Sequence, residues 1–178
     1  MLKYLIRDLL SALRFLPWGI MAGIIVAMIL NMVNARRSHT GRKLVPAPAA
    51  VCFYMYVVIL LVITFFSRES GSGKGIDLEL FSTWGINDRN NAYVVENVLL
   101  FIPYGIVCSW YLKKIRSFVG CTALGLLSSL GIEWLQLLTQ RGVFQIDDIL
   151  TNMLGSMIGY LLFHIICRLC CKIRTHGA

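Results

Sequence analysis

Charged side chains are scarce in this chain. Of its 178 residues only 15% are charged, nine are acidic and three are histidine. Soluble domains carry roughly 25% charged residues, so the deficit excludes a disordered tail, a collagen-like fibre and most soluble enzymes. There is no internal repeat, no nucleotide-binding loop and no second compositional regime beyond a short polar stretch near the middle. The N-terminal segment lacks a small-residue cleavage site, so it does not read as a removable signal peptide. What the chain has in excess is apolar: 57% of residues are hydrophobic and the mean hydropathy is +0.71. These features together describe a small integral membrane protein.

A helix needs about 20 mostly apolar residues to cross a bilayer core. Five runs qualify, over residues 17–34, 46–66, 94–112, 117–138 and 149–167. The predicted fold is therefore all-α, a bundle of five transmembrane helices spanning residues 17–178. Ahead of it, residues 1–16 place Leu2, Leu5, Leu9, Leu13 and Leu16 at helical spacing, with Lys3, Arg7 and Arg14 on the flank. That pattern predicts an amphipathic helix on the membrane surface. Pro17 and Pro46 stand at span starts, where a missing N–H costs nothing. Pro103 lies inside the third span, where it frees the Leu99 carbonyl and predicts a kink. Gly19 with Gly23, and Gly155 with Gly159, form G-x-x-x-G pairs that let helices approach closely. The same pairs leave a homo-oligomer open as an arrangement.

Orientation follows from the basic residues. Arg36, Arg37, Arg42, Lys43, Lys113, Lys114, Arg116, Arg168, Lys172 and Arg174 fall on one side, ten of the seventeen cations, with no acid among them. The opposite loops mix Arg68, Lys74, Arg89 and Arg141 with Glu69, Asp77, Glu79, Asp88, Asp147 and Asp148. The positive-inside rule puts the first set in the cytoplasm, the N-terminus outside and the C-terminus inside. The charge rule and the surface helix conflict here, since residues 1–16 then lie on the outer face. Cys52, Cys108, Cys121, Cys167, Cys170 and Cys171 all fall in the cytoplasmic half, where thiols stay reduced. The Cys-x-x-Cys-Cys run at 167–171 has no second ligand pair to make a metal site. A pI near 9.4 is explained by this loop asymmetry, so membrane lipids rather than nucleic acid are the expected partners.

The informative residues are the polar ones within the apolar spans. Glu96 and Asn97 sit just inside the outer end of the third span. In the fourth, Glu133 and Gln136 share a face with Gly125 and Ser129, and Gln140 and Arg141 follow the end of the helix. Asp148, Asn152, Gly155 and Gly159 form a stripe on the fifth. At ~1.5 Å per residue, Asn97, Glu133 and Asn152 all lie within about 8 Å of the outer boundary. An ionisable group at mid-membrane costs about 2.5–3.5 kcal/mol on insertion scales, and less near the interface, so partners must offset it. Arg141 is a candidate partner for Glu133 or Asp148, with Asn97 and Asn152 as donors. Two readings are open. The polar groups hold three helices in register, or they form an outward-facing pocket for a headgroup, sugar, peptide or cation.

An enzyme is the less favoured alternative: a metal-assisted hydrolase or transferase on a lipid-linked substrate, with Glu133, Asp147 and Asp148 around a hard cation. Against it stand the missing outer histidine and the missing nucleophile pair. No cofactor and no catalytic residue are assigned, and the metal question stays open. Between the second and third spans, residues 70–75 read as a flexible linker. Leu78, Leu80, Phe81 and Trp84 then suggest a lid over the pocket or an ordinary loop with an aromatic anchor.

Three dispersed segments, NVLLFIPYG from Asn97, IEWLQLL from Ile132 and IDDILTNMLGSMIGY from Ile146, resemble the signature segments of the VanZ-like family. The likeness covers about residues 96–163, over three spans in the family's order. The shared positions are Asn97, Phe101, Pro103, Gly105, Glu133, Gln136, Asp148, Asn152, Gly155 and Gly159. The loop segment GIDLELFSTW departs from the family's Asn-Leu-x-Pro-Phe run, since the proline is absent. The resemblance implies a bacterial cell-membrane protein. It also implies a link to low-level resistance to the glycopeptide teicoplanin, for which the family has no established catalytic mechanism. A lipid-linked cell-wall component or the glycopeptide itself is the ligand it suggests.

Overall fold

A computed structural model describes residues 1–66, 71 and 75–176, with backbone alone at 66 and 172–176. The linker expected at residues 70–75 lies for the most part outside the described residues, as do the side chains of Arg68, Glu69, Lys74, Lys172 and Arg174. Six α-helices account for most of the chain. They are α1 (Leu2–Ala12), α2 (Leu16–His39), α3 (Ala47–Leu61), α4 (Asp88–Tyr111), α5 (Phe118–Leu138) and α6 (Ile146–His176). Two short strands, β1 (Ile76–Asp77) and β2 (Phe144–Gln145), pair in parallel with Ile76 opposite Phe144 and Asp77 opposite Gln145.

Among the described residues five helical segments are long and apolar enough to cross a membrane: Leu2–His39, Ala47–Phe65, Asp88–Tyr111, Phe118–Leu138 and Ile146–Cys171. Each contains the bulk of one run read from the sequence. The first reaches further back than expected. A 3-10 turn, Leu13–Phe15, carries α1 into α2 without a loop, so the amphipathic stretch is an extension of the first span. Pro17 allows this because it sits in the first turn of α2, where its missing N–H interrupts nothing. Helix α1 packs on α4, and the Met1 amino group lies 2.7 Å from the Asp88 carboxylate. Three of its four leucines stay exposed, Leu2 and Leu10 by more than 60%, and Leu5 is half-buried.

Side-chain caps define two helix starts. The Asn87 side chain accepts from the N–H groups of Arg89 and Asn90 at 3.0 and 2.9 Å, and Ser117 Oγ accepts from Gly120 N–H at 2.9 Å. Through Pro103, α4 remains one helix. The Tyr56 hydroxyl of α3 donates to the Leu100 carbonyl in that turn, tying α3 to the stretch where the proline lacks an N–H.

Helix α6 packs against both α4 and α5, α3 packs on α4, and α2 lies outermost against α3. The glycine rows set these distances. A Cβ on Gly155 would sit 2.8 Å from Phe101 Cβ, and one on Gly159 would sit 2.9 Å from Gly105 Cα. Gly19 and Gly23 likewise admit Ile59 and Met55 of α3. Both G-x-x-x-G pairs are thus used inside the chain. Leu60, Phe101, Tyr104, Cys108 and Ile132 form a buried cluster from α3, α4 and α5. Matching residues along these rows show that α4 and α6 run parallel and α5 antiparallel to them. One end of the bundle therefore gathers β1, β2, Asp88 and the start of α6. The other gathers the α2–α3 and α4–α5 turns.

Candidate functional site

The polar residues assemble where α5 and α6 run antiparallel. Gly125 faces Ser156, whose Cβ would lie 2.8 Å from a Cβ on the glycine. One turn along, Asn152 Nδ2 donates to Ser129 Oγ at 2.8 Å. A further turn on each helix puts Glu133 at the level of Asp148. All are removed from solvent: Ser129 and Ser156 fully, with Glu133 2%, Asn152 4% and Asp148 7% exposed. Glu133 Oε2 accepts the Gln145 N–H at 3.1 Å. Since Gln145 pairs with Asp77, this bond ties α5 to the two-stranded bridge.

Gln136 and Arg141 have partners that the sequence did not suggest. After Leu61, α3 widens into a π-helical turn, Val62–Phe66, so its last carbonyls point away from their usual intrahelical donors. Gln136 Nε2 donates to the Thr64 carbonyl at 2.8 Å, and Arg141 Nη1 to that of Phe65 at 3.3 Å. The guanidinium also lies 5.1 Å from the Phe65 ring centre. These two side chains join α5 and the chain after it to α3. No local sequence pattern marks that contact, because the acceptors are main-chain carbonyls.

Asp147 and Asp148 are adjacent in sequence but serve different contacts. Asp147, 6% exposed, accepts the Phe81 N–H at 2.8 Å through Oδ1 and the Thr83 N–H at 3.0 Å through Oδ2. It thereby pins a loop in which Phe81 adopts φ +63, a left-handed conformation unusual for an aromatic residue. Asp77 braces the same loop, accepting from Ser82 Oγ at 2.8 Å and Glu79 N–H at 3.0 Å. The Ser82 hydroxyl, followed by the Glu79 amide, holds the Asp77 carboxyl below the usual carboxylate range. The lid reading is corrected in one respect. The loop backbone is tethered at the head of α6, but Leu78, Leu80, Phe81 and Trp84 are each more than half exposed and face outward.

Hydrogen-bonding capacity remains unused at the α4–α6 seam. Asn97 Nδ2 on α4 and Asn152 Oδ1 on α6 are buried without a hydrogen-bond partner. Glu96 Oε1 is also unpartnered, but its charged neighbours are Asp8 and Arg7 of α1 and Arg89, on the α1 side of α4. Gly155 packs against Val98 and Phe101, which brings Asn97, one turn before Phe101, to about the level of Asn152. Among the described residues no group of three or more His, Cys, Asp or Glu side chains is placed to hold a metal. The metal-assisted alternative finds no support in this arrangement.

Five apolar helices with a buried carboxylate and amide cluster near one end define a multi-pass membrane protein. The VanZ/LLP1 family pattern matches residues 53–167, and the chain belongs to that family. The matched region runs from within α3 into α6 and so holds the whole polar cluster. Over 113 residues the chain is 29% identical to Protein VanZ of Enterococcus faecium, an alignment covering 64% of this chain and 63% of that protein. The chain thus spans somewhat less than two thirds of the length of this curated relative. No solved structure gives a significant match.

Proposed function

We propose that this chain is a non-enzymatic membrane protein that binds an envelope component or lipoglycopeptide at its acidic end. By doing so it lowers the access of glycopeptides such as teicoplanin to their target. In this reading the acidic end faces outside, with the C-terminus in the cytoplasm. The supporting observation is the division of labour within the cluster. Gln136, Arg141 and Glu133 bond to the protein itself, whereas Asn97 Nδ2 and Asn152 Oδ1 are buried with nothing to bond. An unmade bond of that kind costs about 1–3 kcal/mol. A ligand that reaches both amides with an acceptor and a donor, such as a sugar hydroxyl or a peptide group, recovers it.

The test compares Asn97→Ala and Asn152→Ala with the unaltered protein in a glycopeptide-sensitive Gram-positive host, at matched membrane abundance. Teicoplanin susceptibility is expected to return to that of the host lacking the protein, with thermal stability unchanged or raised in Asn97→Ala and lowered in Asn152→Ala, which gives up its bond to Ser129. Full protection by both variants would remove the amides from the mechanism.

A further inference from the structure

At the opposite end of the bundle, the α2–α3 and α4–α5 turns face each other across a groove of about 490 Å³. Its walls bring together Arg37 and Lys43 from the first turn and Lys113 and Lys114 from the second, beside Leu44 and Tyr111. The first turn is held from within, since the Asn34 side chain accepts the Val45 N–H at 2.9 Å and donates to its carbonyl at 3.1 Å. Arg37 Nη1 donates to the Lys43 carbonyl at 3.1 Å, which fixes the guanidinium on the groove wall. Tyr111 is braced by Phe53, with ring centres 5.1 Å apart.

Among the described residues no carboxylate pairs with these four cations. The sequence has no Asp or Glu between Asp8 and Glu69, between Glu96 and Glu133, or after Asp148. The two ion pairs found among the described residues, Met1 with Asp88 and Arg7 with Asp8, involve α1 and the head of α4. Arg116 shows what a structural cation looks like at this end. It donates to the Ser109 and Trp110 carbonyls and lies 5.1 Å from the Phe163 ring centre. Among the described residues the side chains of the groove lysines have no such contacts. A general excess of positive charge on one face explains how many cations there are. It does not explain four of them converging from two separate turns on one concavity with an apolar wall.

We infer that this groove binds the phosphodiester headgroup of an anionic phospholipid, with the glycerol and upper acyl chain against Leu44 and Tyr111. The helix ends that form it lie where the bilayer's headgroups lie, and basic recesses between helices suit such lipids. The test uses the purified full chain in zwitterionic detergent, with melting temperature followed during titration with phosphatidylglycerol, phosphatidylcholine or inorganic phosphate. Phosphatidylglycerol is expected to stabilise the protein and phosphatidylcholine is not. The variant carrying Lys43→Gln, Lys113→Gln and Lys114→Gln should bind phosphatidylglycerol on the order of 100-fold more weakly. A control with Arg36→Gln, Arg42→Gln and Arg168→Gln carries the same change in charge outside the groove and should keep most of the affinity. Equal losses in both variants would overturn the site in favour of diffuse surface charge. An equal stabilisation by inorganic phosphate alone would overturn the lipid assignment.

Discussion

A carboxylate as deeply buried as Glu133 is tolerated in an apolar bundle only when donors reach it. One of those donors is the Gln145 N–H. Glu133→Ala would strand that amide and leave a void, lowering stability by about 1–3 kcal/mol. Glu133→Gln keeps an acceptor in place and should lose clearly less. Thermal unfolding in detergent distinguishes the two, and equal losses would show that the acceptor is irrelevant. Asp77 makes a prediction with a pH sign. Its folded-state pKa is depressed, so its bracing of the loop is complete above the ordinary carboxylate range. That bracing is lost as pH falls through the lowered value. In a variant retaining Trp84 as its sole tryptophan, fluorescence should report loop release at acidic pH, and Asp77→Asn should abolish the transition.

The close approach of α4 and α6 rests on the glycines between them. A side chain at Gly159 has no room, because both the Ile102 carbonyl and Gly105 Cα occupy the space. Backbone cannot swing aside as a flexible side chain can, so Gly159→Ala should cost about 1–3 kcal/mol or more in unfolding experiments. Gly131 on α5 is the control: nothing lies within 4 Å of a Cβ there, and Gly131→Ala should be neutral or slightly stabilising. These glycines were visible in the sequence because helical spacing lines them up. The same holds for Ser129, Glu133 and Asn152, whose steps of three and four set the register of α5 on α6. The π turn ending α3 was not visible, since it is recognised through its carbonyls, which every residue type carries. Nor was the β1–β2 bridge, because two residues are too few to show an alternation. The continuity of α1 with α2 was missed for a related reason. An amphipathic pattern reports which face is apolar, and cannot say whether the helix stops before the next span or runs on into it through a 3-10 turn.

Across the whole molecule the two ends differ in chemistry. One carries acids and amides whose bonds are partly unmade, the other carries cations with no acid nearby. Sequence alone supplies that polarity, because hydropathy marks the spans and charge marks the turns between them. It does not separate the polar residues that hold α3 to α5 from those with spare bonding capacity, since that division depends on contacts between distant segments. The proposed function then requires the acidic end to face the envelope. Exposed cysteines offer a direct measurement: Cys167 and Cys170 lie on α6 toward the basic end, and Leu78 is 62% exposed at the other. In intact cells, a membrane-impermeant thiol reagent should label a Leu78→Cys variant and leave Cys167 and Cys170 unmodified until the membrane is permeabilised. The reverse pattern would turn the Asn97–Asn152 seam toward the cytosol, away from any glycopeptide or lipid-linked wall precursor outside the membrane. It would also place the basic groove at the outer surface, where the positive-inside rule does not put ten cations.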